Sequence, residues 1–255
     1  MKRQIWFTVL IFLLFISIGF YIGQPSISRA GGNASAVTKT SSKPEPKPEP
    51  KPEPKSEPKS ESTPESLPES KPKQIALTFD DGPHAVYTPK LLDGLKKRGV
   101  HATFFLIGDS IDGKEDIVRR MKEEGHLIGN HTSSHVQLTK ENAETACAEI
   151  NRTNQKIYEL TGEMPTYIRP PFGSWSEELE CMVPMTVTLW DVDPLDWKVQ
   201  NTRQVVRHIL NHAEDGDIIL LHDVYQTSVD AALQVVDRLT EQGYTFVTVE
   251  EMLID

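Results

Sequence analysis

Seven short apolar runs recur along the chain beyond residue 74, and segments with helical spacing fill most of the intervals between them. The runs are Ile75–Phe79, Ala102–Ile107, His126–Gly129, Tyr167–Arg169, Thr186–Trp190, Asp217–Leu221 and Thr245–Val249. Between them, Leu91, Leu92 and Leu95 fall on one helical face, as do Ile150, Ile157 and Leu160. Several helical segments run into glycine, the residue that most readily closes a helix, at Gly99, Gly125, Gly162 and Gly243. Strand–helix alternation of this kind builds a parallel sheet or barrel. No Gly-rich phosphate loop is present, which favours a barrel over a dinucleotide-binding fold. The link from Phe172 to Thr186 is short. The expected fold class is therefore α/β: an irregular seven-stranded (β/α) barrel, preceded by an N-terminal apolar segment and a disordered linker.

Three regions divide the chain. In residues 1–30, Lys2 and Arg3 precede an apolar stretch from Ile5 to Ile22, and no acidic residue occurs before Glu45. A basic start followed by an apolar run reads as an export signal. Ser28-Arg29-Ala30 offers small residues for cleavage, whereas the run approaches the roughly 20 residues that span a bilayer. Both a signal peptide and a retained membrane anchor stay open, the anchor being preferred. Residues 31–73 carry Lys43-Pro44-Glu45-Pro46, repeated with decay. Alternate prolines exclude helix and sheet interior, so this region reads as an extended, polyproline-like spacer. At about 3.1 Å per residue it reaches on the order of 100 Å. Residues 74–255 form one domain large enough to bury a full core.

The net charge is −10, and the leader and linker carry more Lys and Arg than acids, so the folded part is more acidic than the whole. That argues against nucleic acid or another polyanion as the main partner. Cys147 and Cys181 fit no metal-binding spacing, and outside the membrane they either pair or remain buried thiols.

Polar clusters follow the apolar runs. Asp80-Asp81 follows the first, and Gly82-Pro83 then forces a turn. His131 and His135 follow the third, Arg169-Pro170-Pro171-Phe172-Gly173 the fourth, Asp193-Pro194-Leu195-Asp196-Trp197 the fifth, and His222-Asp223 the sixth. Strand ends of one polarity share a face in a parallel barrel, so the five clusters should converge on one cleft. Asp80 and Asp81 should point in different directions, because side chains alternate along a strand. His131 and His135, placed on one helical turn, would face the same way and grip a divalent ion. With Asp81 they make a two-His, one-Asp set with positions left for water and substrate. That set suits zinc and non-haem iron alike.

The segments Thr78-Phe79-Asp80-Asp81-Gly82, His131-Thr132-Ser133-Ser134-His135, Arg169-Pro170-Pro171-Phe172-Gly173, Asp193-Pro194-Leu195-Asp196-Trp197 and Leu220-Leu221-His222 resemble, in order, the five motifs of the polysaccharide deacetylase (NodB-homology) family, the fourth carbohydrate-esterase family. The resemblance covers Gln74 to Leu253 and is strongest toward bacterial peptidoglycan N-acetylglucosamine deacetylases.

It implies a metal-dependent amidase that removes N-acetyl groups from cell-wall glycan, releasing acetate. Asp81, His131 and His135 would hold one divalent ion, zinc first and cobalt or another transition ion next. Such an ion lowers the pKa of bound water and polarises the acetyl carbonyl. Asp80 would be the general base and His222 the acid that protonates the departing amine. Arg169 would pair with Asp80, and Asp196 would orient His222 and favour its protonated form. The backbone N–H of Phe172 would face the oxyanion. Leu220 and Trp197 would wall the pocket for the acetyl methyl. Phe172 stands where the family often has tyrosine, which removes one hydrogen bond to a sugar.

The implied partner is the wall glycan polymer, reached by a monomeric domain on the extracellular face of a bacterial cell. It would be secreted to the wall, or held to the membrane through residues 5–22 if these stay uncleaved. The rival readings keep the fold and change the substrate to chitin oligosaccharide, N-acetylmuramic acid or O-acetyl xylan. A further rival keeps the fold as a non-catalytic wall-binding module. His84 lies near the clusters without an obvious partner, and His101, His126, His208 and His212 read as structural.

Overall fold

The computed structural model describes residues 72–176, 179 and 185–254. The leader, the linker up to residue 71 and Cys181 lie outside the described residues. Seven strands appear where the apolar runs stand: β1 (Lys73–Asp80), β2 (Thr103–Leu106), β3 (Leu127–Asn130), β4 (Tyr167–Ile168), β5 (Thr186–Val187), β6 (Ile218–His222) and β7 (Tyr244–Val247). Helices alternate with them: α1 (Tyr87–Arg98), α2 (Gly108–Ile111), α3 (Glu115–Glu123), α4 (Ala143–Thr161), α5 (Asp196–Val199), α6 (Thr202–His212), α7 (Gln226–Glu241) and α8 (Val249–Ile254).

Every ladder is parallel, in the order β5-β4-β3-β2-β1-β6, with β7 on the N-terminal half of β1. The sheet curls into an incompletely closed barrel. The long strand β1 organises it, with Ala76–Asp80 in register with Ile218–His222 and Lys73–Ala76 in register with Tyr244–Val247.

The pleat of β1 sorts its residues. Ile75, Leu77 and Phe79 are fully buried in the main apolar cluster with Leu91, Leu95 and Val235 of the covering helices. Each such side chain contributes about 1.5–3 kcal/mol on burial. Ala76 joins a separate cluster with Phe105 and Tyr167, and Thr78 and Asp80 continue that row on the same face of β1. Local signals hold the helix ends. The Asn142 side chain accepts the Thr145 N–H at the start of α4, and Gly99 closes α1 at φ 64°, a region that favours glycine.

The fifth run is the one that departs from expectation, since only Thr186 and Val187 of Thr186–Trp190 join the sheet. The carbonyls of Thr188 and Leu189 accept instead from the Arg169 guanidinium, at 3.2 and 2.9 Å. The chain then crosses to β6 through a single bridge between Val192 and Ile219. Arg169 therefore fills the seam where the barrel fails to close. Cys147, on α4, is disulfide-bonded. Among the described residues, no helix is long and apolar enough to cross a membrane.

Candidate active site

Eight of the ten expected site residues line one cleft of about 430 Å³ at the C-terminal ends of the strands: Asp80, Asp81, His131, His135, Phe172, Trp197, Leu220 and His222. The other two, Arg169 and Asp196, are fully buried beneath it.

β1 delivers the first pair to one cleft, with Asp80 Oδ2 at 3.8 Å and Asp81 Oδ1 at 3.5 Å from His131 Nε2. Asp80 is the last strand residue, 3 % exposed, with its carboxylate toward Arg169. Asp81 leaves the strand at φ 73°, which swings its side chain toward His131 and His135. The ligand-type atoms of Asp81, His131 and His135 all lie within 4.8 Å of one another. Asp81 Oδ1 is 3.5 Å from Nε2 of each histidine and, though buried, has no hydrogen-bond partner.

His131 Nδ1 lies 2.6 Å from the Arg169 carbonyl oxygen. A carbonyl only accepts, so Nδ1 carries a proton, and Nε2 is the nitrogen turned toward Asp81. Burial, and then the neighbouring His131, hold His135 below its ordinary pKa, which favours its neutral form. Burial alone would raise the Asp81 carboxyl, but the His131 imidazole, with His222 and His135 behind it, outweighs that and lowers it. Two imidazole Nε2 atoms facing a carboxylate oxygen that has no hydrogen-bond partner form a donor set that fits a divalent cation.

The histidine segment is not a helical turn, contrary to expectation. Residues 131–135 form a loop, with Thr132 at φ 63° and His135 at φ 57°. The side chains converge because the loop is pinned from below. Asn130 Oδ1 accepts the Thr132 N–H at 2.7 Å, while Asn130 Nδ2 donates to Ile150 O and Asn154 Oδ1. Glu149 Oε2 accepts the backbone N–H groups of Ser133 and Ser134 at 3.1 and 2.8 Å.

Arg169 Nη1 donates to Asp80 Oδ1 at 2.8 Å and to Thr78 Oγ1 at 2.7 Å, and its guanidinium stacks 4.3 Å from the Phe105 ring centroid. Across the cleft, Asp196 Oδ1 lies 2.8 Å from His222 Nδ1. Burial alone would lower the His222 pKa, yet the hydrogen bond and charge of Asp196, helped by Asp80 and Asp81, raise it to about 9. Phe172, at φ 63° and 66 % exposed, sets its ring edge-on to His135 at the mouth. Left-handed backbone at non-glycine residues costs on the order of 1–3 kcal/mol each, and in this fold it gathers around the cleft.

The cleft also takes in Pro170, Trp190, Asp193 and Tyr225, which carry no role in the motif reading. Pro170 and Asp193 stood inside recognised segments, whereas Tyr225 sits three residues past a strand end with no periodic signal to mark it. His84 does have partners: its Nδ1 accepts the N–H groups of Val86 and Tyr87 at the start of α1, and its ring stacks on Tyr87. His126 is buried with its pKa lowered to about 4, mainly by burial, and its Nδ1 accepts the Ala102 N–H.

A curled parallel barrel with an Asp/His/His set at its C-terminal mouth has the architecture of a mononuclear metal site. Comparison with known proteins gives the family. The polysaccharide deacetylase family model matches residues 68–184. Over 180 residues the chain is 46 % identical to the peptidoglycan-N-acetylmuramic acid deacetylase PdaC of Bacillus subtilis, covering 71 % of this chain and 38 % of that protein. Over 180 residues it is 39 % identical to the peptidoglycan-N-acetylglucosamine deacetylase PgdA of Listeria monocytogenes, covering 71 % and 39 %. The chain thus spans under half the length of these two relatives. The solved structure of PdaC superposes with a TM-score of 0.70 at 45 % identity, covering 71 % of this chain and 90 % of that one. A family 4 acetyl xylan esterase from Clostridium thermocellum, solved with a cobalt ion, superposes with a TM-score of 0.68 at 35 % identity, covering 71 % and 91 %. This chain belongs to the polysaccharide deacetylase family.

Proposed function

We propose that the chain is a metal-dependent deacetylase of cell-wall glycan, hydrolysing the N-acetyl amide of peptidoglycan amino sugars to a free amine and acetate. The observation that carries this reading is the convergence of Asp80, Asp81, His131, His135 and His222 on one cleft. A wall-binding module has no need of a buried base, an empty-handed ligand oxygen and a proton donor in one place.

Asp81, His131 and His135 would hold the ion, with zinc proposed and cobalt an alternative supported by the cobalt-bound family member. When bound, a divalent ion there supplies Lewis-acid polarisation and makes water a nucleophile at neutral pH. The chain's own residues handle the protons. Asp80, held by Arg169 at 2.8 Å, accepts the proton of the attacking water as oxygen adds to the acetyl carbon. His222, kept cationic by Asp196, gives its proton to the sugar nitrogen as the C–N bond breaks, so that amine and acetate leave separately. Leu220 and Trp197 would enclose the acetyl methyl. The Phe172 N–H would face the developing oxyanion, and the exposed Phe172 ring offers a sugar an apolar edge at the mouth.

The sugar is proposed as N-acetylglucosamine. A second reading, N-acetylmuramic acid, is favoured by the 46 % identity to a relative named for that sugar. The site would act on the outer face of the cell, as the apolar run Ile5–Ile22 and the Pro/Lys/Glu-rich sequence that precedes β1 suggest. Mass spectrometry of defined muropeptides and chitooligosaccharides, incubated with zinc-loaded protein, is the test. Loss of one acetyl from glucosamine units is expected, loss from muramic units supports the second reading, and no acetate from any acetylated glycan overturns the function.

A further inference from the structure

Glu149 lies on α4, well away in sequence from the histidine loop, yet it is 4 % exposed beneath that loop. A carboxylate so buried is costly unless donors surround it. Its donors come largely from one place. Oε2 accepts the N–H groups of two successive residues, Ser133 at 3.1 Å and Ser134 at 2.8 Å, and the Ser134 hydroxyl at 2.9 Å. Oε1 faces the Arg152 guanidinium. The two gripped amides lie between His131 and His135, and two of the residues flanking them, Thr132 and His135, sit in left-handed backbone at φ 63° and 57°. Neither is glycine, so that conformation persists only where surrounding contacts over-determine it.

We infer that Glu149 is a positioning residue for the metal site: its acceptor oxygen imposes the backbone turn that brings His135 alongside His131 and Asp81. The inference rests on the reading of those three residues as ligands. His135 depends on it most. His131 has a second anchor in the Arg169 carbonyl, and Thr132 in Asn130, whereas Ser134, the residue directly before His135, donates both its N–H and its hydroxyl to Glu149.

Replacing Glu149 is therefore expected to change ion affinity through the position of His135. Glu149→Gln keeps an acceptor oxygen for the two amides and gives up the contact to Arg152, whose side chain is more than half exposed. Glu149→Leu keeps the bulk and removes the acceptor. Glu149→Asp keeps the charge but draws the acceptor back by about 1.5 Å, one C–C bond.

The test is a cobalt titration of each full-length variant against a chromogenic chelator, with the visible cobalt spectrum recorded and folding followed by circular dichroism. Groups behind metal ligands commonly change affinity 10–100-fold when lost. Leu and Asp variants are expected to bind cobalt about 10–100-fold more weakly, with an altered ligand-field spectrum, and Gln within about threefold of the parent. If the Leu variant does not fold, the Asp variant carries the comparison. A folded Leu or Asp variant with parental affinity overturns the inference, as does a Gln variant as weak as Asp. A parent protein that binds no cobalt would instead overturn the metal reading itself.

Discussion

Asp196 holds His222 at two points, with Oδ1 2.8 Å from Nδ1 of the imidazole and Oδ2 accepting the His222 backbone N–H at 2.9 Å. The buried carboxylate therefore fixes both the ring and the strand end that carries it, and raises the imidazole pKa to about 9. If His222 is the proton donor, activity should fall as pH rises through about 9. In Asp196→Asn the charge disappears while burial stays, so the His222 pKa drops and the alkaline limb moves to lower pH. The profile of kcat/KM against pH reads this directly. The stability linkage has the same sign. A folded pKa raised above the ordinary 6.5 gives stabilisation that is complete below about pH 6.5 and lost toward pH 9, on the order of a few kcal/mol. Melting temperature should decline across that window in the parent and less in Asp196→Asn.

Asp80→Asn tests the base. The amide keeps the shape but cannot take a proton, and a positioned general base is worth about 10²–10⁴-fold. The rate should fall by that factor while metal content, measured by atomic absorption, stays near parental. Loss of metal together with rate would move Asp80 from base to ligand.

Exhaustive chelation should abolish acetate release, and added zinc or cobalt should restore it. His131→Ala should not recover under the same additions, because one of the three proposed ligands is gone. Full activity in a verified metal-free sample would remove the metal from the reaction.

Much of this architecture was legible because strand runs, helix-closing glycines and strand-end polar clusters are local signals. All seven strands stand where the apolar runs stand, but strand alternation did not show that the left-handed Asp81 brings both carboxylates near His131 Nε2, Asp80 at 3.8 Å and Asp81 at 3.5 Å. The His-x-x-x-His spacing was legible as a pair but not as a conformation. A four-residue interval fits a helical turn, and it becomes a loop through the neighbouring Asn130, the distant Glu149 and the Gly108 and Asp109 amides that donate to the loop carbonyls. The shortening of β5 was equally hidden, since it depends on carbonyls bonding to a guanidinium about twenty residues earlier in the chain. Long-range pairing of side chain with backbone leaves no periodic trace in sequence.

Arg169 gives a stability prediction. It is fully buried and ties Asp80, Thr78 and the carbonyls of Thr188 and Leu189 together. Arg169→Met keeps an unbranched side chain but leaves Asp80 buried without its cation, a change that typically costs about 3–5 kcal/mol. Chemical denaturation should show a lowered midpoint, and activity should be lost with it. An unfolding free energy within about 0.5 kcal/mol of the parent would mean that the ion pair is dispensable to the seam.

Gly82 offers the last test, at the turn that follows the paired carboxylates. A Cβ on Gly82 would lie 2.4 Å from Oδ1 of the fully buried Asp223, closer than such atoms approach. Asp223 cannot retreat freely, because its other oxygen accepts the hydroxyl of the buried Thr88 and its pKa is already raised to about 7, chiefly by burial. The turn must move instead, and it begins one residue after Asp81. Gly82→Ala should destabilise the fold by about 1–3 kcal/mol, the usual range for overpacking a buried site. It should also weaken metal binding. Paired with Asp223→Ala, which opens the space, the alanine at 82 should lose much of its effect, so the double-mutant cycle becomes non-additive. Additive losses in both melting and metal titration would show that the contact between Gly82 and Asp223 does not set the position of Asp81.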